Sequence, residues 1–157
     1  MVCLALAALA GCAAPDPRAE MELTSIETYW AIDSPSGGTQ YLAPVVRFQL
    51  GNKGTKSRSV QAMATLRRQG DDVAWSSAFT KVLQPHGQLA PGQNATVLLK
   101  PEGEGRYTST GAPETMFQHP QWKDVSAELF LRVDNSNWTK MGTYPIERRI
   151  GSKGITP

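Results

Sequence analysis

Cysteine is almost missing from this chain: Cys3 and Cys12 are its only two, and both fall within the first dozen of 157 residues. The body of the protein therefore has no thiol for a disulfide, a cysteine metal site or a thiolate nucleophile. Histidine is as scarce. His86 and His119 each stand beside a proline, so a histidine-rich metal centre cannot be assembled, and a mixed site would have to borrow Glu102, Glu104 or Asp124. No GxSxG elbow exists for a serine nucleophile, and Gly103 and Gly105 lack the Lys and following helix of a phosphate loop. Charge of one sign is also lacking: 16 basic against 14 acidic residues leave a net +2. A nucleic-acid footprint would be a clustered basic surface, whereas Arg67-Arg68 and Arg148-Arg149 sit singly inside strand-like segments and read as solvated faces. These absences exclude the common routes to catalysis, so no enzyme, metal or cofactor is expected.

The one long apolar run opens the chain. Met1 to Ala10 is apolar throughout, about the length of a signal-peptide core and too short to span a bilayer. It ends in Leu9-Ala10-Gly11-Cys12, which resembles the lipobox of bacterial lipoproteins. The resemblance implies that Cys12 is lipidated as the mature N-terminus and that the membrane is a partner through that lipid, since stable anchoring takes more than one acyl chain. Ala13 after the cysteine implies an outer-membrane address, with the domain facing the periplasm. No Lys or Arg precedes Arg18, although a signal usually begins with positive charge; the alternative is a cytosolic protein starting at Met21. The expected organisation is a signal peptide over 1–11, a lipidated N-terminus and proline-bearing tether over 12–22, one domain over 23–151, and a flexible tail over 152–157.

Within the domain, apolar residues recur at every second position, the period that puts alternate side chains on one face of a strand. Ile26, Trp30 and Ile32 share a face around Thr28 in the first segment. Val46, Phe48 and Leu50 point inward in the second while Val45, Arg47 and Gln49 point out, and Gly51-Asn52-Lys53-Gly54 signals a turn. Val60, Ala62, Ala64 and Leu66 form a third inward face, which ends at the turn Gln69-Gly70-Asp71-Asp72. A returning segment is expected to align Val73, Trp75, Ser77 and Phe79. After loops at Pro85-His86-Gly87 and Leu89 to Gln93 come Ala95, Val97 and Leu99. The most regular segment, Val125 to Val133, is expected to be central, and Asp134 to Asn137 turns the chain into a last strand from Trp138 to Ile150. Pro145 marks that strand as an edge or a bulge. About seven strands of this kind predict an all-β, immunoglobulin-like antiparallel sandwich.

The succession Leu50-Gly51-Asn52-Lys53-Gly54, Val60-Gln61-Ala62, Gly70-Asp71-Asp72-Val73 and Leu89-Ala90-Pro91-Gly92-Gln93 resembles small immunoglobulin-like domains of bacterial envelope proteins, among them the FxLYD and CARDB-like groups. The resemblance covers Ala43 to Leu99 and implies an adhesive or scaffolding function with no catalytic residues. Arg67-Arg68 occupy positions where the FxLYD pattern carries an aromatic and an acid.

The alternation lapses only from Pro101 to Gln121, and loops of that length usually carry function. A short helix is expected over Thr110 to Phe117, with Pro113 in its first turn. Arg106, Tyr107, Met116, Phe117 and Trp122 are the candidate partner-binding residues, aromatic side chains being frequent anchors. The competing expectation is that Met116, Phe117 and Trp122 fold back to plug the open end of the sandwich. Asn94 and Asn137 head N-x-T triplets, which turn chemistry explains on its own. The function expected is a lipid-anchored binding or accessory module for an envelope protein. An alternative is a glycan or small-ligand carrier that stacks its ligand on Trp75, Trp122 or Trp138.

Overall fold

A computed structural model describes residues 14–33, 39–83, 87–109 and 111–151. The apolar opening, Cys12, His86, Thr110 and the 152–157 segment lie outside these residues. Two antiparallel sheets face each other. In the first, β1 (Met21–Asp33), β2 (Gln40–Asn52) and β5 (Asn94–Leu99) run in that order, and the short β6 (Tyr107–Ser109) pairs with the start of β2. In the second the order is β4 (Ser76–Lys81), β3 (Val60–Arg68), β7 (Val125–Val133) and β8 (Thr139–Pro145). The order β1-β2-β5 facing β4-β3-β7-β8 is consistent with an immunoglobulin-like sandwich. The expected all-β sandwich is therefore the fold, with eight strands because β6 forms inside the stretch expected to be loop.

The core is what the alternation predicts. Val60, Ala62, Ala64 and Leu66 on β3 are buried, as are Val125, Ala127, Leu129, Leu131 and Val133 on β7 and Phe48 and Leu50 on β2. Each leucine so buried contributes about 2 kcal/mol. β7 is internal, paired along its length with β3 and on its other side with β8. Pro145 ends the edge strand β8, whose pairing with β7 also shifts register between Leu129 and Phe130.

β1 carries a bulge that the pattern did not announce. Thr24 pairs with Gln49 but Glu27 pairs with Arg47, so Ser25 and Ile26 together oppose Phe48. Ser25 takes φ 50° to make the step. Met21 and Leu23 turn inward before the bulge, and Ile26, Thr28, Trp30 and Ile32 do so after it. The buried Thr28 hydroxyl donates to the Pro145 carbonyl (2.8 Å) and accepts from the Glu147 N–H (3.1 Å), stitching the two sheets together.

Four expectations need correction. The tether does not reach residue 22: Asp16 caps a four-residue helix α1 (Pro17–Glu20), and Met21 is only 2% exposed, so the folded domain begins at Pro17. The strand after the 69–72 turn starts at Ser76. There Ala78 faces the core at 5% exposure while Phe79 (54%) and Val73 (74%) stand in solvent, because Ala78 opposes Ala64 on the inner face. The last strand stops at Pro145, where the chain leaves sheet two, and Ile150 then bridges to Trp30 on the edge of sheet one. Val45 lies beside Tyr29 on the outer face, as expected, yet is buried there.

Candidate functional site

The 101–121 stretch crosses the open end of the sandwich. Gly105 makes the return possible: its φ is 80°, and a Cβ there would collide with Ser76 on β4. β6 then sets Tyr107 over the core. The expected helix forms as a 3₁₀ turn, Pro113–Gln118, because Pro113 opens it and Ala112 offers no side-chain cap. Its Met116 and Phe117 pack inward.

The rings converge on Trp30, which is fully buried. Trp122 meets it edge-on at 4.7 Å, with Tyr107 at 5.7 Å and Phe117 at 6.5 Å. Tyr107 also contacts Trp122 (4.6 Å) and Trp75 (5.0 Å), and Phe117 meets Trp122 at 5.0 Å. Trp30 Nε1 is buried without a hydrogen-bond partner among the described residues, so ring packing holds the Trp30 side chain in the cluster. Burial pushes the Tyr107 hydroxyl above its ordinary pKa, and the hydroxyl donates to the Lys123 carbonyl at 3.2 Å. Of the five candidate residues, Tyr107, Met116, Phe117 and Trp122 are thus brought together, half-buried, as a plug. Arg106 turns away, to Asp33 (3.0 Å), the Gly103 carbonyl and the Tyr41 ring.

Ion pairs strap this end down. Arg148 grips Asp124 with two nitrogens (2.7 and 2.8 Å), and Trp122 Nε1 donates to the same carboxylate (3.2 Å). Asp71 accepts from Lys123 and Arg68, both at 2.7 Å. The Arg148 hydrogen bonds lower the Asp124 pKa, and those of Lys123 and then Arg68 lower that of Asp71. The basic pairs noted in the sequence are absorbed in this way, with Arg149 on Glu147 and Arg67 on the Asp72 carbonyl. His119 accepts from the Gln121 N–H. Among the described residues no three of His, Cys, Asp and Glu meet to hold a metal ion.

The opposite end holds α1. Arg18 donates to the Lys140 carbonyl through Nε (3.2 Å) and Nη2 (2.7 Å). Glu20 takes both Nε and Nη2 of Arg58 at 2.6 Å, and Asp134 takes Nη1 at 2.9 Å. These bonds hold the Arg58 pKa above its usual value. Buried Asn52 closes the same end: its Nδ2 donates to the carbonyls of Lys56 and Leu89, and its Oδ1 accepts from Gly54.

A second surface escaped sequence reading. On the outer face of sheet two, Met63 pairs with both Phe79 and Phe130, and Trp138 lies 6.2 Å from Phe79. The guanidinium of Arg132 covers the Trp138 ring at 5.5 Å, and its buried Nε has no hydrogen-bond partner among the described residues. The signal was present, since Met63 and Phe130 interrupt otherwise polar outward positions. Assigning Phe79 to the core hid it. The indoles proposed as a sugar platform are occupied: Trp75 and Trp122 by neighbouring rings, Trp138 by Arg132.

No protein-family model matches this chain, and no curated protein or solved structure was found to be similar to it.

Proposed function

We propose that this protein is a lipid-anchored envelope lipoprotein, attached through Cys12 and facing the periplasm from the outer membrane, that binds a protein partner and performs no catalysis. The observation that carries this reading is the opposition of the two ends. Cys12 stands four residues before the Asp16 cap, so a lipid there tethers the α1 end within about 15 Å of its bilayer. The nine residues of β7 span about 30 Å and carry the 101–121 loop to the far end. A partner in the envelope then meets the exposed edges of Tyr107, Met116, Phe117 and Trp122, with Arg106 on the adjoining flank. The packing of α1 also argues against a start at Met21, which would delete the helix and strip Arg58 of Glu20.

Palmitate labelling of wild type and Cys12→Ser tests the anchor: label is expected in the wild type alone, and label persisting in the variant refutes it. Stoichiometric recovery of one protein from wild-type membranes, lost in Met116→Glu, supports the loop. Unchanged recovery from the variant counts against it.

A further inference from the structure

Around the exposed Phe79 and the half-exposed Trp138, the outer face of sheet two is basic at the end nearest α1. Lys81 and Arg132 both pair with Gln61 and so stand in one outward row, while Lys140 lies beside Phe130 in the next. Glu128 is the only carboxylate at the outward positions of these strands, and Lys140 neutralises it at 2.5 Å. Lys81 and Arg132 have no acidic partner among the described residues, and the carboxylate of Asp134 in the following turn is held by Arg58. Aromatic rings beside cations that have no acidic partner suit an interface between water and lipid headgroups, where the rings enter and the cations meet anionic lipid.

The first described helix lies at the same corner. α1 lies on β7 and β8 through Arg18 and the Lys140 carbonyl, and the segment from residue 16 back to Cys12 reaches no further than about 15 Å. We infer that this corner, led by Phe79 and Trp138 and carrying the net charge of Lys81 and Arg132, docks on the anionic phospholipid surface in which the lipid of Cys12 is embedded. The inference rests on the anchor reading for the identity of that surface. It adds a second, non-covalent attachment that tilts the sandwich onto one corner and fixes which face the far loop turns to a partner. A second copy of the chain is a poorer occupant, since two such corners would oppose like charges.

The test uses the mature chain from residue 12 with Cys12→Ser, so that no lipid is present, and two vesicle preparations: phosphatidylcholine alone, and phosphatidylcholine with about a third phosphatidylglycerol. Flotation with the anionic vesicles only is expected. Brominated anionic lipid should quench Trp138 and spare Trp30, Trp75 and Trp122 at the far end. Lys81→Gln should weaken partitioning about fivefold, the value of one basic residue near such a surface. Phe79→Ser should abolish the quenching while leaving the urea midpoint unchanged, as its exposure requires. Equal flotation with both vesicles, or none with either, overturns the docking. So does a concentration-dependent dimer that Phe79→Ser dissolves, which would assign the corner to a second copy. Because the palmitate experiment is independent of these vesicles, a failed anchor and a failed corner give different results.

Discussion

Beginning the chain at Met21 would be a costly change, and its cost can be worked from the N-terminal contacts. The deletion removes the carboxylate that holds Arg58 by two 2.6 Å bonds, between side chains only 17% and 22% exposed. Breaking a fully buried pair costs about 3–5 kcal/mol and an exposed one less than about 1. With partial solvent screening, and with Asp134 still on Arg58, about 2 kcal/mol is reasonable. The bond from the Lys53 N–H to the Glu20 carbonyl (2.9 Å) adds about 1 kcal/mol. A new ammonium at Met21, which now donates to the Pro17 carbonyl, adds a similar amount. A loss of about 3–4 kcal/mol is expected, a large share of the roughly 5–15 kcal/mol that holds a domain together. Urea denaturation of the chain from residue 12, with Cys12→Ser, against the chain from Met21 should show the midpoint falling by about 1.5–2 M at constant slope. Glu20→Ala alone should account for about half of that fall. A difference below about 1 kcal/mol would refute the reasoning and return residues 17–20 to the status of a tether.

Two further outcomes concern the loop end. Trp122→Ala removes the ring that touches Trp30, Tyr107 and Phe117 and should cost about 3 kcal/mol; a variant as stable as wild type would mean that the plug is not part of the core. Acidification should loosen the same end, because the folded pKa values of Asp71 and Asp124 are depressed. Their contribution is complete above the ordinary carboxylate range near about 4 and is lost as pH falls through the lower folded values. Urea midpoints that stay level from about pH 5 down to about pH 2 would contradict this assignment.

The sandwich was legible wherever a strand keeps one parity along its whole length, as β3, β7 and the later half of β2 do. β4 misled because hydrophobicity alone places Phe79 inside, whereas the facing alanine at position 64 makes room for Ala78. The helix before Met21 left a signal, Asp16-Pro17, an N-cap followed by proline at the first helical position. It was masked by reading prolines near an N-terminus as tether. At the loop end the plug could be foreseen from the number of aromatics, but its receptor could not. Trp30 lies far away in sequence, and its bridge to Ile150 depends on where the chain goes after leaving β8.

The bulge at Ser25 and Ile26 makes β1 two phases of one strand, joined out of step. Removing a single residue there would act on side chains as a frameshift acts on codons. Either Met21 and Leu23 or the run from Thr28 to Ile32 would keep its facing, and the other group would be turned to water in its entirety. Sequence drift in β1 is accordingly constrained in length at one point more tightly than in composition at most others. Substitutions along the strand can be absorbed one at a time, whereas an insertion or deletion at the joint changes the facing of one whole half at once.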